Sequence, residues 1–71
     1  MQKNLYTAVI KQDGDAWIGW IEEVPGVNCQ EYSLEELKKT LAVTLAEALE
    51  FNREEALRLA GAGYTEEQIA V

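Results

Sequence analysis

Pro25-Gly26-Val27-Asn28-Cys29-Gln30-Glu31-Tyr32-Ser33-Leu34-Glu35-Glu36-Leu37 is the stretch in which this chain passes from the period of a sheet to the period of a helix. Pro25-Gly26 is a turn signal, and residues 27–30 read as a short strand entered through it. Ser33 with Glu36 three positions later forms a capping box. The Ser33 hydroxyl can accept from the Glu36 backbone N–H while the Glu36 carboxylate reaches back to the Ser33 N–H. A helix is expected to start there. Between residues 34 and 60 there is neither Gly nor Pro, and Leu34, Leu37, Leu41, Leu45, Ala48, Leu49, Ala56 and Leu59 recur at steps of three and four or their sums. At 100° per residue these side chains share one sector, with Lys38, Lys39, Glu47, Glu50 and Glu54 largely outside it. Asn52 falls in the middle of the apolar sector. It reads either as a polar group near the end of one continuous helix or as the cap of a second helix begun by Glu54 and Glu55, and the break or kink is favoured because Asn caps well.

Working back from Pro25, residues 5–11 (Leu-Tyr-Thr-Ala-Val-Ile-Lys) and 16–22 (Ala-Trp-Ile-Gly-Trp-Ile-Glu) are rich in β-branched and aromatic types. Gln12-Asp13-Gly14-Asp15 lies between them, a turn composition that predicts an antiparallel hairpin. Forward from the helix, Gly61-Ala62-Gly63 ends the run, and residues 64–70 read as a final helical turn or two capped by Thr65 with Gln68 three positions on. The result is an α+β fold in the order β-β-β-α, one domain over residues 1–71. Its parts are an antiparallel sheet (1–32), a helix or kinked helix pair (33–60) and a short helical tail (61–71).

Seventy-one residues suffice for one domain only, and a chain this short is marginal unless something supports it. A single Cys, Cys29, and no His exclude an internal disulfide, Cys/His zinc sites and any imidazole-dependent catalysis. Oligomerisation or a bound partner is the remaining support. Thirteen acidic against six basic side chains, a net charge of −7, disfavour direct contact with a nucleic-acid backbone and suit a basic protein partner. Met1-Gln2-Lys3-Asn4 leads straight into strand-like sequence, so no signal peptide, no membrane span and a cytoplasmic location are expected.

Both hairpin strands are apolar on both sides: Tyr6, Ala8 and Ile10 oppose Leu5, Thr7 and Val9, while Trp17 and Ile21 oppose Ile18 and Trp20. One helix covers one face of a three-stranded sheet, so the other face needs a second layer. A 27-residue helix would also span about 40 Å, far more than seven-residue strands of about 23 Å. Its far end must therefore meet something beyond the sheet.

Tyr6-x-Ala8-x-Ile10, the Asp-Gly turn, the aromatic second strand, Pro25-Gly26-Val27, Gln30 and Ser33-x-Glu35-Glu36-Leu37 together resemble the N-terminal domain of HicB-type antitoxins, over roughly residues 5–51. Residues 25–37 are the most specific part. The resemblance implies a curved antiparallel sheet under a long helix, a partial ribonuclease-H-like arrangement without nuclease activity. It also implies a function: binding and silencing a small, basic, HicA-like RNA-cleaving toxin. Many family members add a C-terminal DNA-binding module. Here residues 63–70 have only the rhythm of the first half of a helix-turn-helix, and no Lys or Arg follows Arg58, so operator binding is not expected. Glu22 stands where many members have a second proline.

No catalytic, metal or cofactor residues are assigned. Asp13 and Asp15 lack the ligand pattern of a calcium loop, Gly61 and Gly63 follow a helix where a phosphate loop would precede one, and Cys29 reads as a small buried hydrophobe. The partner-binding candidates are Trp17 and Trp20, one of them core and the other an interface anchor, with Glu22, Glu23 and Glu31 as an acidic patch near the Pro-Gly corner. Val43, Phe51 and Leu57 fall outside the main apolar sector and are candidate contacts of a homodimer or higher oligomer. Two functions follow: a non-enzymatic antitoxin-like module acting by stoichiometric binding, or an orphan homo-oligomer of the same fold without a toxin.

Overall fold

A computed structural model of the protein describes residues 5–71. The direct lead of residues 1–4 into the first strand lies outside the described residues. The elements follow in the order β1 (Ala8–Asp13), β2 (Ala16–Ile21), β3 (Asn28–Glu31) and α1 (Leu34–Ala60). They form an antiparallel sheet of order β1-β2-β3 with one long helix upon it, the α+β architecture expected.

The hairpin turns on Gly14 and Asp15 alone. Gly14 has φ 63° and Asp15 does not adopt positive φ, the pattern of a type II′ turn whose twist matches the strands it joins. The first strand consequently starts and ends later than its apolar run suggests, pairing Ala8 with Ile21 and Asp13 with Ala16. Backbone contact continues once more, where the Glu22 N–H donates to the Thr7 carbonyl at 2.9 Å.

Between β2 and β3 the chain makes a compact loop closed by the Ile21 N–H on the Val27 carbonyl, 3.1 Å. The loop folds Val24 and Val27 inward, where they join Ile21, Leu37 and Leu41 to make the buried core. Ser33 caps α1 as expected: it is extended (φ −140°, ψ 153°) and its side-chain oxygen accepts from the Glu36 N–H at 3.1 Å.

Two features of the helical half differ from the sequence reading. First, α1 runs unbroken through Asn52. A cap at Asn52 would have broken the i→i−4 ladder for several residues, whereas an Asn in mid-helix costs only about 0.6 kcal/mol relative to Ala. Second, residues 61–71 are not helical but irregular and exposed along their whole length. The chain leaves the helix through Gly61 and Gly63, both at positive φ. Seven residues are too few to hold a helix without a surface to pack on, and Ile69 and Val71 meet none.

The helix lies over β2 and β3. Leu37 and Leu41 are buried, Leu45, Ala48 and Leu49 pack against the core, and nothing after Leu49 does. Residues 50–60, about 16 Å of helix, therefore project past the sheet.

Candidate protein-binding surface

Register and three contacts decide which face of the sheet is which. Gly19 lies directly under the helix, where an added Cβ would stand 3.0 Å from Leu41 Cδ1 and 3.2 Å from Leu37 Cδ2. The Thr40 hydroxyl donates to Glu31 Oε2 at 2.8 Å, and the Cys29 thiol to Thr44 Oγ1 at 3.5 Å. Gly19, Cys29 and Glu31 are thus on the helix side, with Trp17 and Ile21 of the same parity. Trp17 is the core tryptophan, half-buried against the hydrophobic cluster.

Trp20 is on the opposite, open face and remains 39% exposed. Down the middle of that face run Ala16, Ile18 and Trp20. Val9, Lys11 and Asp13 of β1 stand opposite them on one side, and Asn28 and Gln30 of β3 opposite Trp20 and Ile18 on the other. An apolar line with one aromatic near its end, bordered mostly by polar and charged side chains, has the composition of a protein interface: apolar centre, polar rim. Among the described residues no helix or further strand lies over it; along the line Trp20 is exposed, Ile18 half-buried and Ala16 buried.

The three candidate carboxylates do not form one patch. Glu31 pairs with Trp17, five positions along β2 from Glu22, a separation of about 17 Å at 3.3–3.4 Å per residue. Glu31 is engaged by Thr40 on the helix side. Glu23 is engaged as well. Its carboxylate accepts from the Thr7 backbone N–H at 2.8 Å and from the Thr7 hydroxyl at 2.7 Å. These bonds, the backbone one first, hold the Glu23 carboxyl below its usual range and tie the chain before β1 to the β2–β3 loop. Glu22 alone is exposed without a side-chain partner among those described.

Val43, Phe51 and Leu57 are likewise separate. Val43 and Leu57 share the outer side of α1 but lie about 21 Å apart along it, and Phe51 is on the flank that carries Thr40 and Thr44, past the end of the sheet. Val43 and Phe51 are exposed, Leu57 half-buried.

Sequence reading missed Thr7, Thr40 and Thr44 as partners of Glu23, Glu31 and Cys29. Thr40 and Thr44 carried a signal: two poor helix formers one turn apart, between Leu37 and Leu45, imply side-chain partners on one flank. Gly19 carried another, because a glycine in a strand otherwise built of Trp and Ile marks the place where a second backbone element comes close.

On the β1 side of the helix is an apolar groove of about 290 Å3, bounded by Ala8, Ile10 and Ile21 below and Lys38, Leu41, Ala42 and Leu45 above. Among the described residues no three His, Cys, Asp or Glu side chains are grouped to hold a metal ion, and no helix is long and apolar enough to cross a membrane. No family model, curated protein or solved structure matches the chain.

Proposed function

We propose that this protein is an antitoxin-like binding module that neutralises a small, basic, RNA-cleaving protein by occupying its surface, acting by stoichiometric association and not by turnover. The observation that carries the reading is the sheet face that no second layer covers among the described residues, with Trp20 exposed and Ile18 half-buried on its middle strand. Its apolar line supplies contact area, Trp20 the anchor, and the net charge of −7 the long-range attraction that speeds encounter with a cationic partner. The resemblance of residues 5–51 to the HicB-type N-terminal domain agrees with the partner class. Glu22, without a side-chain partner among the described residues, stands at the end of the same sheet and is the carboxylate that would add a charged rim contact.

The test begins with a tagged chain purified at low salt from its own host, the bound mass being read by native mass spectrometry. A small basic protein held at fixed ratio, whose RNA cleavage this chain suppresses, is the expected result. Trp20→Ala is then expected to weaken that complex at least 30-fold, the cost of an interface hot spot of about 2 kcal/mol, with the fold intact. Unchanged affinity would move the interface off the open face. The projecting end of α1 favours a second reading, an orphan homo-oligomer, and a chain that arrives only with itself at every salt concentration selects it.

A further inference from the structure

The open face changes character along its length. At the end away from the hairpin turn, Trp20 has Val9 directly opposite on β1 and Asn28 opposite on β3. The ladder reaches one residue past β2, through the Glu22 N–H on the Thr7 carbonyl, and alternation therefore places Glu22 on the same face as Trp20, two residues along the chain. Glu23 adds a second carboxylate at that end, fixed beside Thr7 by the backbone N–H and the hydroxyl of that residue. Lys11, the one cationic side chain of the three strands, pairs with Ile18 and not with Trp20.

We propose that this end of the open face seats one arginine side chain of a basic partner protein, its guanidinium stacked on the Trp20 indole and its N–H groups donating to the Glu22 carboxylate. The indole is available for stacking, with Trp20 39% exposed. Residues two apart on a strand stand about 6.6–6.8 Å from each other. A glutamate side chain spans that gap, so its carboxylate reaches the edge of a group lying on the neighbouring ring. The N–H groups of a stacked guanidinium point outward in its own plane, toward that edge. An ammonium has no plane to stack and is held more strongly by water, so an indole paired with a carboxylate selects arginine over lysine.

Charge complementarity favours another protein over a second copy as the source of that arginine. Each chain carries a net charge of −7, so two copies repel, whereas a basic protein is drawn in. The two arginines of the sequence, Arg53 and Arg58, are paired with Glu50 and Glu55 on the projecting end of α1. The arginine seat rests on the open face being the surface that meets a basic protein, as proposed above, and it specifies the side chain which that partner presents.

The isotope-labelled full chain, titrated at constant ionic strength with the blocked tripeptides acetyl-Gly-Arg-Gly-amide and acetyl-Gly-Lys-Gly-amide, reports on the seat through its two indole N–H signals, which Trp20→Leu assigns. The Trp20 signal is expected to move with the arginine peptide at an initial slope about threefold or more above that of the lysine peptide, while Trp17, on the helix side, stays in place. Glu22→Gln should lower the arginine slope about twofold or more, with far-UV circular dichroism unchanged. A Trp20 signal that does not move, equal slopes for the two peptides, a shift shared by Trp17, or a slope indifferent to Glu22→Gln would each overturn the proposal. The tripeptides probe the seat without the partner, so the two readings fail separately. An arginine preference in a chain that holds no basic protein in its host keeps the seat and removes the antitoxin reading; a basic protein held while the tripeptides are not told apart keeps that reading and removes the seat.

Discussion

Replacing Gly19 by alanine adds one methyl group at the closest approach of helix and sheet. The new Cβ would be 3.0 Å from Leu41 Cδ1, 3.2 Å from Leu37 Cδ2 and 3.3 Å from the carbonyl oxygen of Val9. All three are tighter than ordinary contact. Leu37 is fully buried, Leu41 can yield only toward the groove it borders, and the third neighbour is the backbone of the paired strand. Overpacking of this kind costs about 1–3 kcal/mol, and removing the glycine's freedom in the unfolded chain returns about 0.5–1 kcal/mol. A net loss centred on about 1 kcal/mol, and at most about 2.5 kcal/mol, remains. For a domain of this size the central figure corresponds to a fall in Tm of about 4–8 °C. The assay is thermal unfolding by circular dichroism at one fixed protein concentration, since self-association would shift Tm with concentration. Leu41→Ala, costly by itself, should cost less in the Gly19→Ala background by at least about 0.5 kcal/mol, because the cavity accepts the methyl group. A Gly19→Ala protein that melts at or above the wild-type temperature would refute the close approach.

The remaining predictions concern the loop clamp and the helix. Because Thr7 holds the Glu23 carboxyl below its ordinary value of 4.5, the folded state binds that proton more weakly than the unfolded one. Its contribution to stability is complete above that value and is lost as the pH falls through the lower folded pKa. Tm measured from pH 6 downward should therefore decline less steeply in Glu23→Gln than in wild type; identical acid limbs would show that the clamp contributes nothing. Asn52→Ala should raise Tm slightly and increase helical ellipticity, since alanine is the better mid-helix residue by about 0.6 kcal/mol. A loss of about 1 kcal/mol instead would mean that Asn52 caps a helix.

The fold was legible where local chemistry and tertiary packing ask for the same thing. Ser33 and Glu36 start a helix wherever the following face is apolar, and Leu37 and Leu41 supply that face. Gly14 with Asp15 likewise makes a tight turn, although apolar content alone placed the strand start three residues early. Local signals failed where nothing distant reinforced them: Asn52 has a capping residue's chemistry but no second surface for a new helix, and Thr65 with Gln68 caps a segment too short to hold. The roles of the two tryptophans needed the helix itself. Parity puts them on opposite faces, but only the position of Gly19 under Leu37 and Leu41 says that the row of Trp17 is the inner one. Of the acidic candidates, Glu22 has no side-chain partner among the described residues, while Glu23 and Glu31 were claimed by threonines remote in sequence.

The projecting helix also sets how the molecule moves through solvent. With extents of 51 × 25 × 15 Å and a radius of gyration of 15.2 Å, against about 11 Å for a compact chain of this length, it is a short rod and not a sphere. A rod diffuses more slowly than a globule of equal mass and tumbles faster about its long axis than end over end. On a column calibrated with globular standards even a single chain will elute early, at an apparent mass that imitates an oligomer. Sedimentation equilibrium or light scattering, which do not depend on shape in this way, will count the copies correctly.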